Sequence, residues 1–302
     1  MRLFRRARPS GPALEPRLAA FRAERGGGHD LALLERRTEA ALAESGLAWE
    51  GEQLPGDRTW QIATDAGPVW IFSSVRDDAV SLNQTALGSA ELALDDAFVR
   101  GLLRSNAHTE GPYAALAQAS AEDPYYLLLR SNIPLEALAG ERLRSALEAF
   151  LLRRRLLESG EQPERGRSGS LTGEQALEAA AACVEELAAS LELALEPQRG
   201  DPHAWRLKSD GFDVHVELDL LEDVLRAWVP VEAADGVRSE LRLFSYFLER
   251  GGLFNSSFSA IVPYRSESWV AAMSTVSMGS VTPATIAFAL EHPLHSARDW
   301  RA

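Results

Sequence analysis

The strongest constraint on the fold is an internal repeat. The segment W-Q-I-A-T-D-A-G, which begins at Trp60, is matched 145 positions later by W-R-L-K-S-D-G, which begins at Trp205. Each tryptophan is followed by an apolar run that closes on an asparagine, Asn106 in the first case and Asn255 in the second. These asparagines are 149 positions apart, so the two spacings nearly agree. The agreement predicts duplication of one domain of roughly 130 residues, which is near the usual domain size.

The composition is typical of a globular protein of about two domains, with 302 residues, 46% of them apolar and 25% charged. A single cysteine excludes an intramolecular disulfide and a metal site with several cysteine ligands. No apolar run approaches the roughly 20 residues that span a bilayer. The charged N-terminus is not followed by the apolar segment of a signal peptide. We therefore expect a cytoplasmic protein without a membrane span.

Positive charge is concentrated in a basic arm, residues 1–29. The first 25 residues hold seven arginines against two glutamates, a net charge of +5, so the remainder must carry −18 to reach the total of −13. An acidic body repels phosphate, and we expect it not to bind nucleic acid directly. Two interpretations of the arm stay open: a solvated tail that is disordered or forms a short helix, and a contact with an anionic surface.

Hydrophobic periodicity predicts the same element order, α-β-β-β-α-β-β-α, in both halves. The first helix starts behind Asp30, and the last starts at Thr282, where a cap precedes a proline; we expect it to end before Pro293. A stretch rich in Gly, Ser and charge separates the halves. We expect a first domain at 30–158, a linker at 159–172 and a second domain at 173–302.

Runs rich in Trp, Val, Ile and Phe predict the strands of each half. A further strand, between Tyr113 and Ala119, is only weakly marked. The central helix of the second half is expected between Val237 and Leu248. The predicted strands are 60–64, 69–72, 79–82 and 125–129 in the first half and 205–208, 212–220, 224–231, 257–262 and 269–274 in the second.

This order, with a Trp-led first strand and an aliphatic helix that ends L-L-x-x-N, resembles the YbjN-like family. The helix-end pattern is met by Leu102, Leu103 and Asn106 in the first half and by Leu253 and Asn255 in the second. The resemblance implies an α+β protein of two tandem domains with the fold of type III secretion chaperones. Each domain would have a curved antiparallel sheet.

The same resemblance implies domains that are often homodimeric, bind segments of other proteins and carry no known catalytic centre. We therefore expect a non-enzymatic, chaperone-like module that captures a segment or flexible tail of a partner protein. Its acidic body favours basic or neutral segments with apolar anchors. Two alternatives stay open. One is an adaptor associated with nucleic-acid-handling proteins or anionic surfaces through the basic arm, and the other is a small-molecule enzyme whose site the sequence does not reveal.

The sequence offers few residues for catalysis or metal binding. It has no P-loop, no G-x-S-x-G elbow and only one lysine. Cys183 lies in an alanine-rich helical stretch, which favours a buried structural thiol. His215, Glu217 and Asp219 alternate along a predicted strand and share one face, as metal ligands could, but any half-exposed strand shows this alternation. We expect neither a metal nor a cofactor.

Several predicted strands are apolar on both faces, for example V-W-I-F at 69–72. One face packs against helices, and the other is covered by helices of its own copy or by the second copy, or serves a contact with another chain or a client. Aromatic anchors dominate binding hot spots. The residues that we expect in the framework or in a partner-binding groove are Trp60, Trp70, Phe72, Trp205, Trp228 and Trp269.

Overall fold

The computed structural model describes most of the chain as mixed α+β. The described residues are 13–25, 30–54, 57–74, 79–88, 92, 95–107, 112–118, 123–159, 174–198, 200–209, 211–219, 223–234 and 257–301. Within these ranges the chain forms two antiparallel six-stranded sheets, one in each half. No helix in these ranges is long and apolar enough to cross a membrane.

The first half places four strands between α2 and α3. Its sheet has the order β1-β2-β3-β4-β6-β5. The elements are α1 (Leu14–Glu24), α2 (Leu31–Ser45), β1 (Trp49–Leu54), β2 (Asp57–Ile62), β3 (Val69–Ser74), β4 (Ala79–Leu87), α3 (Asp96–Asn106), β5 (Tyr113–Ala117), β6 (Tyr126–Pro134) and α4 (Gly140–Ser159).

The second half has the corresponding sheet, β7-β8-β9-β10-β12-β11. Its predicted central helix, between Val237 and Leu248, lies outside the described residues, as do Leu253 and Asn255. The described elements are α5 (Glu174–Ser190), β7 (Glu196–Gln198), β8 (Asp201–Ser209), β9 (Phe212–Asp219), β10 (Val224–Ala233), β11 (Phe258–Tyr264), β12 (Glu267–Ser277) and α6 (Pro283–Arg301).

The predicted element order was wrong at one point in each half, where an additional edge strand follows the first helix. In the first half this strand is β1, whose sequence W-E-G-E-Q-L contains a glycine and two glutamates. Its counterpart β7 is only three residues long and contains Pro197. Glycine, proline and charge are depleted in central strands but tolerated at sheet edges, so composition did not mark either segment as a strand.

The ends of the helices follow local chemistry with one exception. The Asp30 carboxylate accepts hydrogen bonds from the backbone N–H groups of Ala32 and Leu33, at 3.0 and 3.2 Å, and so caps α2. Thr282 precedes the proline that opens α6, as predicted. The prediction that this last helix ends before Pro293 was wrong, because α6 continues to Arg301. Buried apolar residues beyond the proline hold the helix together despite the missing N–H donor.

The strands of the two sheets pair in equivalent registers. One row of paired residues across the first sheet consists of Trp60, Ile71, Leu82 and Ser131. The corresponding row across the second sheet consists of Trp205, Val216, Ala227 and Ser274. The first three members of each row differ by 145 positions, and the last by 143. The repeat in the sequence therefore coincides with equal positions in the two sheets.

The two halves meet where α3 and the edge strand β5 of the first half contact β11, an edge strand of the second sheet. The rings of Tyr113 and Phe258 stack with centroids 4.5 Å apart and planes 20° apart. The Asn106 side-chain amide donates to the backbone oxygens of Ala114 at 3.0 Å and Ser259 at 3.1 Å, and its oxygen accepts from the N–H of Ala114. This asparagine, which belongs to the L-L-x-x-N pattern, thus ties α3 to a strand of each half.

Helix α1 packs into the second half, so part of the basic arm is structural. Its apolar face, formed by Leu14, Leu18 and Phe21, joins the core beneath the second sheet. One of the two interpretations of the arm was a solvated tail. The buried residues of α1 do not fit that interpretation. Two of its arginines have partners within the chain: Arg17 donates to the backbone oxygen of Leu191, and Arg22 forms an ion pair with Glu291.

Candidate functional site: a groove on the second sheet

The second sheet buries one face under helices and leaves part of the other open. Val214, Val216 and Leu218 of β9 face the core, because successive strand residues point to opposite sides. His215 and Glu217 therefore face away from the core helices. On that side lies a cavity of about 510 Å³, called here the second-sheet groove. It is lined by Glu196, Pro197, Gln198, Arg206, His215, Glu217, Trp228, Pro263, Tyr264 and Arg265.

Aromatic rings form the floor of the groove. His215 pairs with Trp228 on the neighbouring strand, and their rings stack with centroids 3.9 Å apart and planes 7° apart. Tyr264 meets both rings edge-on, at 5.2 Å from His215 and 5.8 Å from Trp228. Trp269 adds a further edge-on contact with Tyr264 at 5.4 Å. Four strands thus contribute an aromatic surface of the kind that holds apolar or aromatic groups.

His215 supplies a hydrogen-bond donor that no described residue satisfies. Its Nδ1 lies 3.0 Å from the amide nitrogen of Gln198, which also donates to the backbone oxygen of Trp205 at 3.4 Å. That second bond orients the amide, so Nδ1 accepts and the proton of the neutral ring sits on Nε2. Burial lowers the pKa of His215 to about 4, which keeps the ring neutral near pH 7. His215 lines the groove, and its Nε2 atom is buried without a hydrogen-bond partner in the described part of the chain.

Glu217 lies on the same face of β9, two residues from His215. Burial raises the pKa of its carboxyl group, while a hydrogen bond from Trp228 and the charge of Arg226 act in the opposite direction. Arg226 itself forms an ion pair with Asp219. The alternating residues of β9 therefore divide between two settings, with His215 and Glu217 at the groove and Asp219 held by an arginine.

Two arginines stand at the rim of the groove, each paired with a carboxylate. Arg206 donates to Glu196 through Nε at 3.2 Å. Arg265 contacts Asp213 at 2.8 Å, and the same carboxylate accepts from the Tyr264 hydroxyl at 2.7 Å. Burial alone would raise the pKa of Asp213, but the Tyr264 hydrogen bond and the two arginine charges hold it below its usual value. Arg265 is 63% exposed and can reach a ligand.

The six predicted framework or groove residues fall into three settings. Trp60 and Trp205 are buried in the cores of the first and second halves, respectively. Trp228 and Trp269 belong to the aromatic floor and its border. Trp70 and Phe72 alternate with the core residue Ile71 and lie, partly buried, on the opposite face of the first sheet. The structure therefore does not bring the six together as one site.

Sequence reasoning missed Gln198, Arg206, Tyr264 and Arg265 as groove residues. Each is an ordinary polar or aromatic residue of a strand or turn, and only strand pairing brings them next to His215. Arg206 directly follows the repeated tryptophan and faces the opposite side of the strand, which is the one signal that could have pointed to it.

The described residues hold no cluster of three or more His, Cys, Asp or Glu side chains that could bind a metal ion. Cys183 on α5 is partly buried, and its thiol points to the backbone oxygen of Val281 at 3.9 Å. Burial and, to a lesser extent, the charge of Glu186 raise the pKa of this thiol. The setting favours the protonated thiol over the reactive thiolate.

No family model and no curated protein matches the chain. A chain in the solved structure of the HopA1-SchA chaperone-effector complex is similar to it, with 13% sequence identity and a TM-score of 0.35. The match covers 43% of this chain and 98% of that one. At this TM-score the similarity assigns no fold family, so the function is argued from the geometry of the groove.

Proposed function

We propose that the protein is a non-enzymatic, chaperone-like binding module built from two tandem YbjN-like domains. The equal strand order of the two sheets supports the duplication, as does the shared frame of the rows that contain Trp60 and Trp205. The halves pack through α3, β5 and β11, which leaves the second-sheet groove open. A segment of a partner protein is the occupant that this groove fits.

The observation that carries the proposal is the combination of an aromatic floor with a buried, unsatisfied donor. A buried polar group without a partner is costly, so a ligand that accepts from His215 Nε2 gains the hydrogen bond and removes the penalty. The backbone carbonyl of an extended segment is such an acceptor. An apolar or aromatic side chain of the same segment would contact Tyr264 and Trp228, as anchor residues do in peptide grooves.

The test is selection of linear peptides from a display library on the purified full chain. Affinities of the selected peptides are then measured against three variants. His215→Phe keeps the ring against Trp228 but removes the donor, and weakening of about two- to twelvefold is expected from the loss of one hydrogen bond. Arg265→Glu reverses the rim charge and should weaken peptides with acidic residues and strengthen those with basic residues.

Arg36→Glu is the matched control, because Arg36 is an exposed arginine of α2 in the other half. It should leave the affinities unchanged. The proposal is wrong if no peptide is selected, or if the selected peptides bind the His215 and Arg265 variants as tightly as the wild type.

A small-molecule site is the second candidate, because His215 and Glu217 lie in one cavity of ligand size and both have shifted pKa values. Thermal shifts across a metabolite set test it, with His215→Phe and Glu217→Gln as variants. A stabilising metabolite whose effect both variants abolish would favour this candidate over the peptide groove.

The adaptor hypothesis now concerns only the arginines that precede α1. Arg17 and Arg22 have partners within the chain, the Arg25 guanidinium lies over the Phe21 ring, and Leu18 is fully buried. Removing the whole arm would therefore damage the second core, so the informative variant lacks only residues 1–12. Unchanged retention of this variant on DNA, RNA and anionic vesicles would exclude the arm as an anionic-surface contact.

A further inference from the structure

Helix α1 shows how an amphipathic helix docks on the outer face of α6. Its apolar side chains are buried there and it reaches the end of α5, where Arg17 donates to Leu191. Glu15, near the start of α1, pairs with Arg298. Arg22, seven residues later, pairs with Glu291 at 2.9 Å. Because Glu291 precedes Arg298 by seven residues, the two helices run antiparallel with one ion pair at each end of the contact.

Helix α4 is the counterpart of α6 in the first half. Both helices follow a 3-10 turn, at Leu135–Ala137 and Met278–Ser280, 143 positions apart. Both then carry the pattern A-L-E-x-x-L, at 146–151 and at 289–294, with the same offset. The offset also matches the paired residues of the preceding strands, Ser131 and Ser274.

This correspondence places Glu148, Leu152 and Arg155 of α4 where α6 has Glu291, His295 and Arg298. Those α6 residues are the ones that hold α1; His295 lies 2.9 Å from Glu15. On α4 all three positions are exposed. Leu152 is 58% exposed, and no other large apolar side chain in the described part of the chain is classed as exposed.

We propose that the outer face of α4 binds an amphipathic helix of a partner protein with the residue pattern of α1. The partner helix runs antiparallel to α4, with an acidic residue opposite Arg155 and a basic residue, seven positions later, opposite Glu148. Apolar residues between them cover Leu152. This leucine occupies the position that His295 has on α6. The proposal rests on the protein-binding role proposed above but assigns a second surface, far in sequence from the groove.

The probe is a fluorescent, end-capped peptide of residues 13–25, added to the full chain, in which α6 is already occupied by its own α1. Anisotropy measures the affinity. Leu152→Glu should weaken binding by at least about tenfold, because it places a charge at the centre of an apolar contact. Leu152 is exposed, so the variant should keep the thermal midpoint of the wild type. Ala179→Glu, at an exposed alanine of α5, is the matched control and should bind normally.

Charge reversal tests which residues of α4 and of the peptide lie opposite each other. The double variant Glu148→Arg with Arg155→Glu should lose affinity for the wild-type peptide and regain it for a peptide carrying Glu15→Arg and Arg22→Glu. Affinity that neither the Leu152 variant nor the double variant changes would overturn the proposal. A second outcome would also overturn it: a chain that dimerises and becomes monomeric with Leu152→Glu, because a second copy would then cover this face.

The groove provides an independent control. Arg265→Glu should leave peptide binding to α4 unchanged, since Arg265 lies in the β11–β12 turn of the second half. Failure of the display selection at the groove would therefore not affect this result, and failure at α4 would leave the groove result standing.

Discussion

His215 combines a buried, neutral ring with a hydrogen-bond donor, Nε2, that has no partner in the described part of the chain. The ring is 3% exposed, stacked on Trp228 and hydrogen-bonded through Nδ1 to Gln198. Burial is the largest cause of its lowered pKa; the Asp213 charge acts in the opposite direction, and the charges of Arg206 and Arg265 reinforce it. Its protonation is therefore linked to folding.

We expect the free energy of unfolding to depend on pH through His215. The folded-state pKa is about 4, below the 6.5 of an unperturbed histidine, so the unfolded chain binds the proton first. The stability that His215 contributes is present above pH 6.5 and is lost as the pH falls toward 4. Between pH 7 and pH 5 the loss should be on the order of 1–2 kcal/mol.

Urea unfolding of the wild type and His215→Phe at both pH values measures this loss. The variant should lack that part of the pH dependence. The comparison is needed because burial raises the pKa of Glu217, whose contribution has the opposite sign and is lost as the pH rises. Equal pH dependence of the two proteins would contradict the assignment.

Asn106 is the residue for which we expect the largest effect of removing hydrogen bonds. Asn106→Ala leaves the backbone N–H and oxygen of Ala114 and the oxygen of Ser259 without this partner. The expected loss is about 2–3 kcal/mol in the free energy of unfolding. Ser105→Ala, one residue earlier in α3, serves as the control and should change stability by less than about 0.5 kcal/mol. Similar values for the two variants would exclude the structural role.

At the scale of secondary-structure elements, α1 distinguishes the two halves. It covers α6, whereas the described part of the first half contains no helix in the equivalent place on α4. The difference explains why His295 is only partly exposed and Leu152 is open to solvent. Within the described residues, equivalent positions of the two helices are therefore covered on α6 and exposed on α4.

The same substitution at two leucines tests this difference. Leu18→Ala in α1 should lower the free energy of unfolding by about 2–5 kcal/mol, because the side chain is fully buried and its removal leaves a cavity. Leu152→Ala in α4 should change it by less than about 0.5 kcal/mol. Denaturant unfolding measures both. A small effect at Leu18 would mean that α1 does not form part of the second core.

At the scale of the whole molecule, the halves pack through α3, β5 and β11, and the stacked rings of Tyr113 and Phe258 meet at equivalent places in the two sheets. Both rings belong to an apolar cluster that also contains Trp228. This cluster covers the open face of the second sheet near β11 and leaves the groove near β7 to β9 uncovered. The contact between halves therefore limits the extent of the groove.

Homodimerisation, which the resemblance to YbjN-like proteins implies, stays a prediction. Light scattering of the purified chain should give a mass of twice the 33.0 kDa of one chain. The dimer would bury an open face of the two-domain unit, as apolar surfaces of this kind usually do. A mass of one chain across the micromolar range would contradict it.

Most of the fold could be predicted from local patterns. Apolar periodicity located the helices α2 to α6 and the central strands, and Asp30 and Thr282 marked helix starts, because these features depend on neighbours within one turn or one strand. The edge strands β1 and β7 were missed because edges tolerate glycine, proline and charge. Pro293 was misread as a helix end because distant packing outweighed its local effect.

The sequence by itself determined the duplication signal, the class of fold and the tryptophans that lie in equivalent rows, since these are consequences of spacing along the chain. Only the tertiary structure decided which side chains share the groove. Gln198, His215 and Tyr264 come together there because strand register, which depends on hydrogen bonds between segments far apart in sequence, sets them side by side. Tertiary packing also decided that α1 covers α6, while no described helix covers the matching positions of α4.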